Sequence, residues 1–343
     1  MGTLMSAIAI SVTAMDLPLV HVFKIARGEE AVARTALVRV RAGDREGLGE
    51  ATPVERYGES VESVIAYFDA HPPAGDDPFA LETLLDARIP AAARAGLDIA
   101  LHDLIGKQLG KPLYALLGLD PSQTPTTSFT IGIAQPDEML RKVDEAAQYP
   151  ILKVKVGGGA PADDVEMIAA IRARYRGAIR IDANEGWTVA EAITTLRELQ
   201  RYEIEFCEQP VAAGNPEWLR AIRERVDIPI VADEDCLVAS DLPPLGGCID
   251  GVNVKLAKTG GIRGALAMIH TARAMGLKVM LGCMVESAIA ASAAAHLSPL
   301  VDWADIDGPL LIADDPFTGL GYDRGKLVLS DEPGLGVRPK EAA

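Results

Sequence analysis

Three carboxylates recur at a near-fixed spacing: Asp182 in RIDAN, Glu208 in EFCEQP and Asp233 in VADED, 26 and 25 residues apart. Each ends a short apolar run. Acids gathered at one place repel one another unless a cation sits among them. Hard oxygen ligands with room for water suit Mg2+, one ion per chain. The five histidines form no HxxxH or HxH pair, so carboxylates and not imidazoles are expected to hold the metal. Lysines flank the acids. LKVKV places Lys153 and Lys155 two apart, hence on one face of a strand. VNVKLAK ends another run with Lys255. A buried lysine is costly without charge partners, and the acids supply them. Two lysines on opposite sides of a carbon can remove a proton from one face and return it to the other. Lys258, three residues further on, reads as a solvated loop residue. In WADIDGP, Asp305 and Asp307 are again two apart on one strand face and separate from the three acids. A substrate ammonium is their natural partner. The alternative is a DG turn.

The elements that position these residues follow from a repeat. TSFTIGI at 127, ILKVKVG at 151, AIRIDAN at 178, IEFCEQP at 204, IPIVADE at 228, IDGVNVK at 249, LKVMLGC at 277 and DWADIDG at 302 are short apolar runs. The gaps hold helix-like segments such as PADDVEMIAAIRARY. Strand, helix, strand at this spacing is a βα unit, and eight such strands close a parallel barrel. The fold class is therefore α/β, with the barrel domain over 125–314. Lys155 falls on the second strand and Lys255 on the sixth, four apart in a ring of eight and so opposed across the mouth. The first 120 residues form an α+β domain. AIAISVTAM, ARTALVRVRA and GLGEAT read as strands, followed by helices such as AAARAGLDIALHDLIGKQLG. LDPSQTPTT is the linker. The tail KLVLSDEPGLGV reads as one more strand, so residues 315–343 are expected to complete domain 1–120.

Composition excludes several partners. The net charge is −16, which lacks the basic footprint for nucleic acid or anionic lipid. No apolar stretch approaches 18 residues, so no membrane span is expected. The N-terminal segment has no positive region before its apolar run and reads as a strand, not a signal peptide. Four cysteines, Cys207, Cys236, Cys248 and Cys283, form no CxxC pair and read as buried small hydrophobes in a reducing cytoplasm. Assembly into a homo-oligomer is left open.

KVK, DAN, EQP, ADED and VKLAKTGG, in this order and spacing, resemble the muconate-lactonizing subgroup of the enolase superfamily. The resemblance covers nearly the whole chain. It implies a modified TIM barrel, (β/α)7β, with an N-terminal α+β capping domain. It implies Asp182, Glu208 and Asp233 as Mg2+ ligands, Lys155 and Lys255 as the two acid/base residues, and Lys153 on the substrate carboxylate. The aspartates Asp305 and Asp307 resemble the signature of dipeptide epimerases, where such a pair holds the dipeptide's ammonium. Thr130, Cys283 and Val285 match positions that touch the dipeptide there. FKIARG at 23–28 and ERYGES at 55–60 resemble the capping loops of L-Ala-D/L-Glu epimerases, which places Arg27 against a side-chain carboxylate. The implied activity inverts the α-carbon of the C-terminal residue through an enediolate, with L-Ala-D/L-Glu or another L-Ala-X dipeptide as substrate, in murein peptide metabolism. The rivals are an N-acylamino acid racemase or an o-succinylbenzoate synthase or cycloisomerase on the same scaffold. A Schiff-base lyase or aldolase and a non-catalytic peptide-binding barrel are rivals of other classes.

Overall fold

The computed structural model describes residues 8–73 and 75–341. The chain begins with a three-stranded antiparallel sheet, β1 (Ala9–Ile25), β2 (Gly28–Ala42) and β3 (Arg45–Ala51), in that order. Small and β-branched residues on one face of β2, Ala36, Val38 and Val40, are buried under the helix Ala91–Leu109. That helix is rich in alanine and leucine and buried along most of its length, so it acts as the core of this unit rather than as a surface helix. Of the expected first strand, AIAISVTAM, Ala7 lies outside the described residues. The strand itself runs well past AIAISVTAM, to Ile25. Its register shifts between Pro18 and Phe23, and pairing resumes at Phe23↔Glu30. A proline has no N–H for the ladder, which explains a break beside Pro18. FKIARG is therefore not a loop: Phe23–Ile25 is strand, and only Ala26 and Arg27 turn.

Eight parallel strands follow: β4 (Phe129–Ile131), β5 (Ile151–Lys155), β6 (Ala178–Asp182), β7 (Ile204–Glu208), β8 (Ile230–Ala232), β9 (Gly251–Lys255), β10 (Lys278–Gly282) and β11 (Trp303–Asp305). Each lies inside its apolar run. Neighbours in sequence are neighbours in the sheet. The ring closes where Thr127 bridges Ala304 in parallel and Ser128 N–H donates to Ala304 O at 3.1 Å. Leu152, Val154, Ile179 and Ile181 pack outward into the main core with helix residues such as Val165, Ile168 and Ile171. The alternate residues fill the barrel interior, where Arg180 Nη1 reaches across to Ala304 O at 2.8 Å.

Six of the seven connections between barrel strands carry an α-helix. The exception is β8 to β9, where the expected helix is absent and two short 3₁₀ turns stand instead, Ala239–Asp241 and Pro243–Leu245. Pro243 and Pro244 cannot donate into a continuing helix, and Gly246 and Gly247 follow at once.

The N-terminal unit docks on the barrel through a buried acid. Glu50, on β3, accepts from Ser287 N–H and Ser287 Oγ–H, the latter at 2.6 Å, and from Ala290 N–H. These donors open the helix Ala288–Leu297, whose N-terminal dipole favours a carboxylate. The tail does not add a strand to the first sheet. It forms its own hairpin, Gly321–Asp323 with Lys326–Val328. Beyond it, Leu335 N–H donates to Asp103 at 2.9 Å and Gly334 O accepts from Leu113 N–H at 2.8 Å, both in the N-terminal unit. Among the described residues no helix is long and apolar enough to cross a membrane.

Candidate active site

The strand register brings the polar residues together. Lys155 stands beside Asp182, and Asp182 beside Glu208, as neighbours on β5, β6 and β7. Asp233 follows β8 directly, and Lys255 ends β9. All are buried. Lys153 Nζ lies 2.5 Å from Glu208 Oε2, 2.6 Å from Asp305 Oδ2 and 3.3 Å from Asp182 Oδ2. Lys155 Nζ donates to Asp182 Oδ2 at 2.7 Å, and Lys255 Nζ to Asp233 Oδ2 at 2.9 Å.

Lys258 corrects the sequence reading. It is 3% exposed, not solvated. Its ammonium donates to Asp233 Oδ1 and to three backbone carbonyls, of Asp233 at 2.8 Å, Asn253 at 3.0 Å and Cys236 at 3.1 Å. The short helix Leu256–Thr259 turns the side chain back under the mouth.

Two further anchors escaped the sequence reading. Asn253, inside β9, donates to Glu208 Oε1 at 2.6 Å. It needs Gly282 on the neighbouring strand, where a Cβ would lie 2.4 Å from its amide oxygen. Gln209 Oε1 accepts from Asp233 N–H at 3.0 Å. The signal for both was a polar residue within or just after a buried apolar strand. Asn184, Glu185 and Gln209 also have positive φ, of 43°, 69° and 33°. Backbone strain of this kind costs about 1–3 kcal/mol per residue and gathers at functional sites.

Burial opposes ionisation of all three acids, and the lysines decide the outcome. Lys155 and Lys153 overcome burial and hold the Asp182 carboxyl down at about 2. Lys255 and Lys258 hold Asp233 well below the carboxylate range against the same burial. Glu208 is pushed up to about 7 by burial and then by the charge of Asp182, which Lys153 offsets only in part. Asp233 in turn raises Lys255 above its ordinary value despite burial.

Among the described residues no three His, Cys, Asp or Glu side chains converge on one metal position; each acid is turned onto a lysine. The donor set nevertheless fits a hard divalent cation. Three carboxylates from consecutive strands are close enough for Asp182 and Asp233 both to raise Glu208, and a divalent ion among them removes that repulsion.

A cavity of about 540 Å³ opens above these groups, between the barrel mouth and the N-terminal unit. Lys153, Lys155 and Lys255 line it, as do Thr130, Cys283, Val285, Asp305, Asp307 and Arg27. The structure thus brings every residue expected to touch substrate to one space. Asp305 ends β11, but Asp307 lies beyond the strand, so strict alternation does not apply to the pair. Nor is the pair separate from the three acids: Lys153 bridges Asp305 to Glu208 and Asp182. Ser128 Oγ–H also donates to Asp305 Oδ1 at 2.6 Å. Asp307 accepts from Thr130 N–H at 2.6 Å and is in no ion pair among the described residues. Burial and the neighbouring Asp305 push its carboxyl up to about 7. Cys283 N–H donates to Asp305 O at 3.1 Å. Its side chain is half-buried, whereas Cys207, Cys236 and Cys248 are buried as expected. Val285 packs with Leu17 of β1, Ala33 of β2 and Ile312, where the first sheet meets the barrel.

Arg27 is already engaged. Its Nη1 meets Glu234 Oε1 at 2.7 Å, Asn184 O at 2.8 Å and Glu185 Oε2 at 2.9 Å. Arg56, from ERYGES, holds the other side of Glu185 at 2.7 Å. The two capping segments are therefore fastened to the barrel through one carboxylate.

Comparison with known proteins places this site in a family. Residues 7–118 match the N-terminal domain of mandelate racemase and muconate lactonizing enzyme, and residues 137–343 match the enolase C-terminal domain-like fold. An L-Ala-D/L-Glu epimerase from Bacteroides thetaiotaomicron is 40% identical, over 94% of this chain and 85% of its own. An L-Ala-D/L-amino acid epimerase from Pedosphaera parvula is 40% identical, over 95% of this chain and 98% of its own. A dipeptide epimerase from Methylococcus capsulatus, solved with Mg and L-Arg-D-Lys, superposes with a TM-score of 0.88 at 34% identity, covering 97% of this chain and 99% of that one. The chain belongs to the mandelate racemase and muconate lactonizing enzyme family of the enolase superfamily.

Proposed function

We propose that this protein is a Mg2+-dependent dipeptide epimerase, inverting the α-carbon of the C-terminal residue by proton transfer between two bases. One observation carries the reading: Lys155 and Lys255, from opposed strands, open onto the same cavity as Asp305 and Asp307. Asp182, Glu208 and Asp233 would hold the metal. A Mg2+ ion held there would offset negative charge on the substrate carboxylate and so would make the adjacent α-proton more acidic. Lys153 lies beside those acids, where it meets the same carboxylate. Lys155 takes the proton from one face of the α-carbon, and Lys255 delivers one to the other. The reverse reaction exchanges their roles. Asp305 and Asp307 face the dipeptide's ammonium, and Thr130, Cys283 and Val285 line its path.

The relatives' names make L-Ala-D/L-Glu the first dipeptide to test, with other L-Ala-X dipeptides next. Among the described residues the contacts of Arg27 run through Nη1, and Nε and Nη2 are the atoms that would meet a side-chain carboxylate. Its contacts within the N-terminal unit support grouping the tail, 315–343, with residues 1–120 as one capping domain over the barrel of 125–314. The unpaired cysteines support a reducing, cytoplasmic setting.

The test is a dipeptide library in D2O, read by mass spectrometry, with Mg2+ and with exhaustive chelation. Deuterium at the C-terminal α-carbon, lost on chelation and in Asp182→Asn, Glu208→Gln or Asp233→Asn, is the expected result. Full turnover after chelation would remove the metal from the mechanism.

A further inference from the structure

The β1–β2 hairpin treats the two lysines unequally. It lays the ring of Phe23 over Lys155, with Nζ 5.9 Å from the ring centroid. Among the described residues no ring face covers the ammonium of Lys255 in this way. The placement of Phe23 is fixed from two sides. Ile133 N–H, just past β4, donates to Lys24 O at 2.8 Å. Gly132 eases that approach: a Cβ there would lie 3.3 Å from Lys24 N and O and 3.5 Å from Phe23 Cδ2, so the strand end would have to give by a few tenths of an ångström. At the hairpin tip, Arg27 is held by Glu234, Glu185 and Asn184 O. Phe23 is thus carried on a clamped strand end and lines the substrate cavity.

An ammonium within about 6 Å of an aromatic face is attracted to it, more strongly where water is excluded. Lys155 has Asp182 at 2.7 Å on one side and this ring on another. We infer that Phe23 is the positioning residue of the Lys155 half of the reaction, closing the solvent side of that ammonium so that Nζ is aimed at the substrate's α-carbon. The inference rests on the two-base reading proposed above. When the α-C–H bond on the Lys155 face breaks, its proton goes to the lone pair of Lys155 as the neutral amine, which becomes the ammonium that the ring attracts, and its electron pair goes into the substrate carboxylate. The Lys255 ammonium then gives a proton to the opposite face. Phe23 bears only on the first of these transfers, and in the reverse direction only on the last.

The test separates the two faces. Phe23→Leu and Phe23→Tyr are each made in Lys255→Ala, where only the Lys155 face exchanges, and in Lys155→Ala, where only the Lys255 face does. Exchange of the C-terminal α-proton of L-Ala-L-Glu and L-Ala-D-Glu is followed in D2O by NMR. Phe23→Leu should cut exchange on the Lys155 face about three- to tenfold, the range of a partly desolvated cation–ring contact. The fall on the Lys155 face should exceed any fall on the Lys255 face by that factor, and Phe23→Tyr, which keeps the ring, should keep the rate. An equal fall on both faces, no fall on either, or a Tyr variant as poor as Leu would overturn the inference. If the parent chains exchange the α-proton of an N-acetyl amino acid and of no dipeptide, the dipeptide reading fails alone. The Phe23 comparison is then decided on that substrate by the same criteria.

Discussion

On β5 two lysines stand two residues apart on one strand face; on β9 the second lysine falls a helical turn later, on Leu256–Thr259. Both edges of the mouth therefore carry a pair, and the pairs differ in reach: Lys153 and Lys155 both line the substrate space, whereas of Lys255 and Lys258 only Lys255 does. Lys155 and Lys255 each have one carboxylate partner and line the cavity. Lys153 joins three acids on three strands. Lys258 fastens Asp233 to three carbonyls and does not reach the cavity. Charge is balanced similarly on both edges, but access differs. A strand-end lysine is thus set apart as a base by having a single acid partner together with an open path to substrate, a combination that Lys153, joined to three acids, and Lys258, shut away from the cavity, both lack.

The largest effect expected from this difference concerns Lys155 and Lys255. Each changed singly to Ala should slow epimerisation by about a thousandfold, within the range for removing a positioned acid or base. Each variant should still exchange the α-proton on the face that keeps its lysine. Lys155→Ala should lose exchange from the L-configured residue, and Lys255→Ala from the D-configured one. Normal epimerisation by either single variant would break the two-base scheme.

Lys258 should answer differently. Changing it to Met leaves Asp233 buried with one cation in place of two, and breaking a buried pair costs about 3–5 kcal/mol. Denaturant unfolding should show a loss of that order, while KM for dipeptide holds in whatever fraction stays folded. A Lys258→Met protein as stable as the parent would mean that the ammonium's bonds to Asp233 and the carbonyls carry no net weight.

The contrast between these two lysines also shows what could be read in the chain. The barrel strands were legible because most are short runs rich in Val, Ile and Leu that pack against helices, and an acid or a lysine marks the C-terminal end of β5, β6, β7, β9 and β11. Lys153 and Lys155 were legible because period two on a strand is strict. Lys258 was not, because its partners come from Asn253 within β9 and from the stretch after β8, and no local pattern announces them. The same holds for Glu50, which meets Ser287 and Ala290 more than two hundred residues away. The helix expected between β8 and β9 failed for a local reason that was present in the sequence, the two prolines and two glycines of LPPLGG. Phe23 was placed in a loop because FKIARG resembles a capping loop, whereas the strand resumes at Phe23–Ile25 and only Ala26 and Arg27 turn.

The smallest effect distinguishes the two aspartates through the lysine that one of them holds. Asp305 is committed to Lys153 and Ser128, whereas Asp307 has the Thr130 N–H and no ion pair among the described residues. An arriving ammonium therefore finds Asp307 the less occupied partner, and its charge would draw that carboxyl down from about 7. A charge-assisted hydrogen bond contributes about 1.5–3 kcal/mol, and about 1.4 kcal/mol is tenfold in rate or affinity. N-acetylation of L-Ala-L-Glu should lower kcat/KM roughly ten- to a hundredfold in the parent protein. In Asp307→Asn that penalty should shrink, because the carboxylate that reads the charge is gone. In Asp305→Asn the penalty should shrink less and both substrates should slow, because Lys153 loses one of its three acid partners. Steady-state kinetics on the two substrates in the three proteins decide the matter. Equal kcat/KM for free and N-acetyl dipeptide in the parent would turn the reading toward an N-acylamino acid racemase or a cycloisomerase, with Asp305 left only as the counter-ion of Lys153.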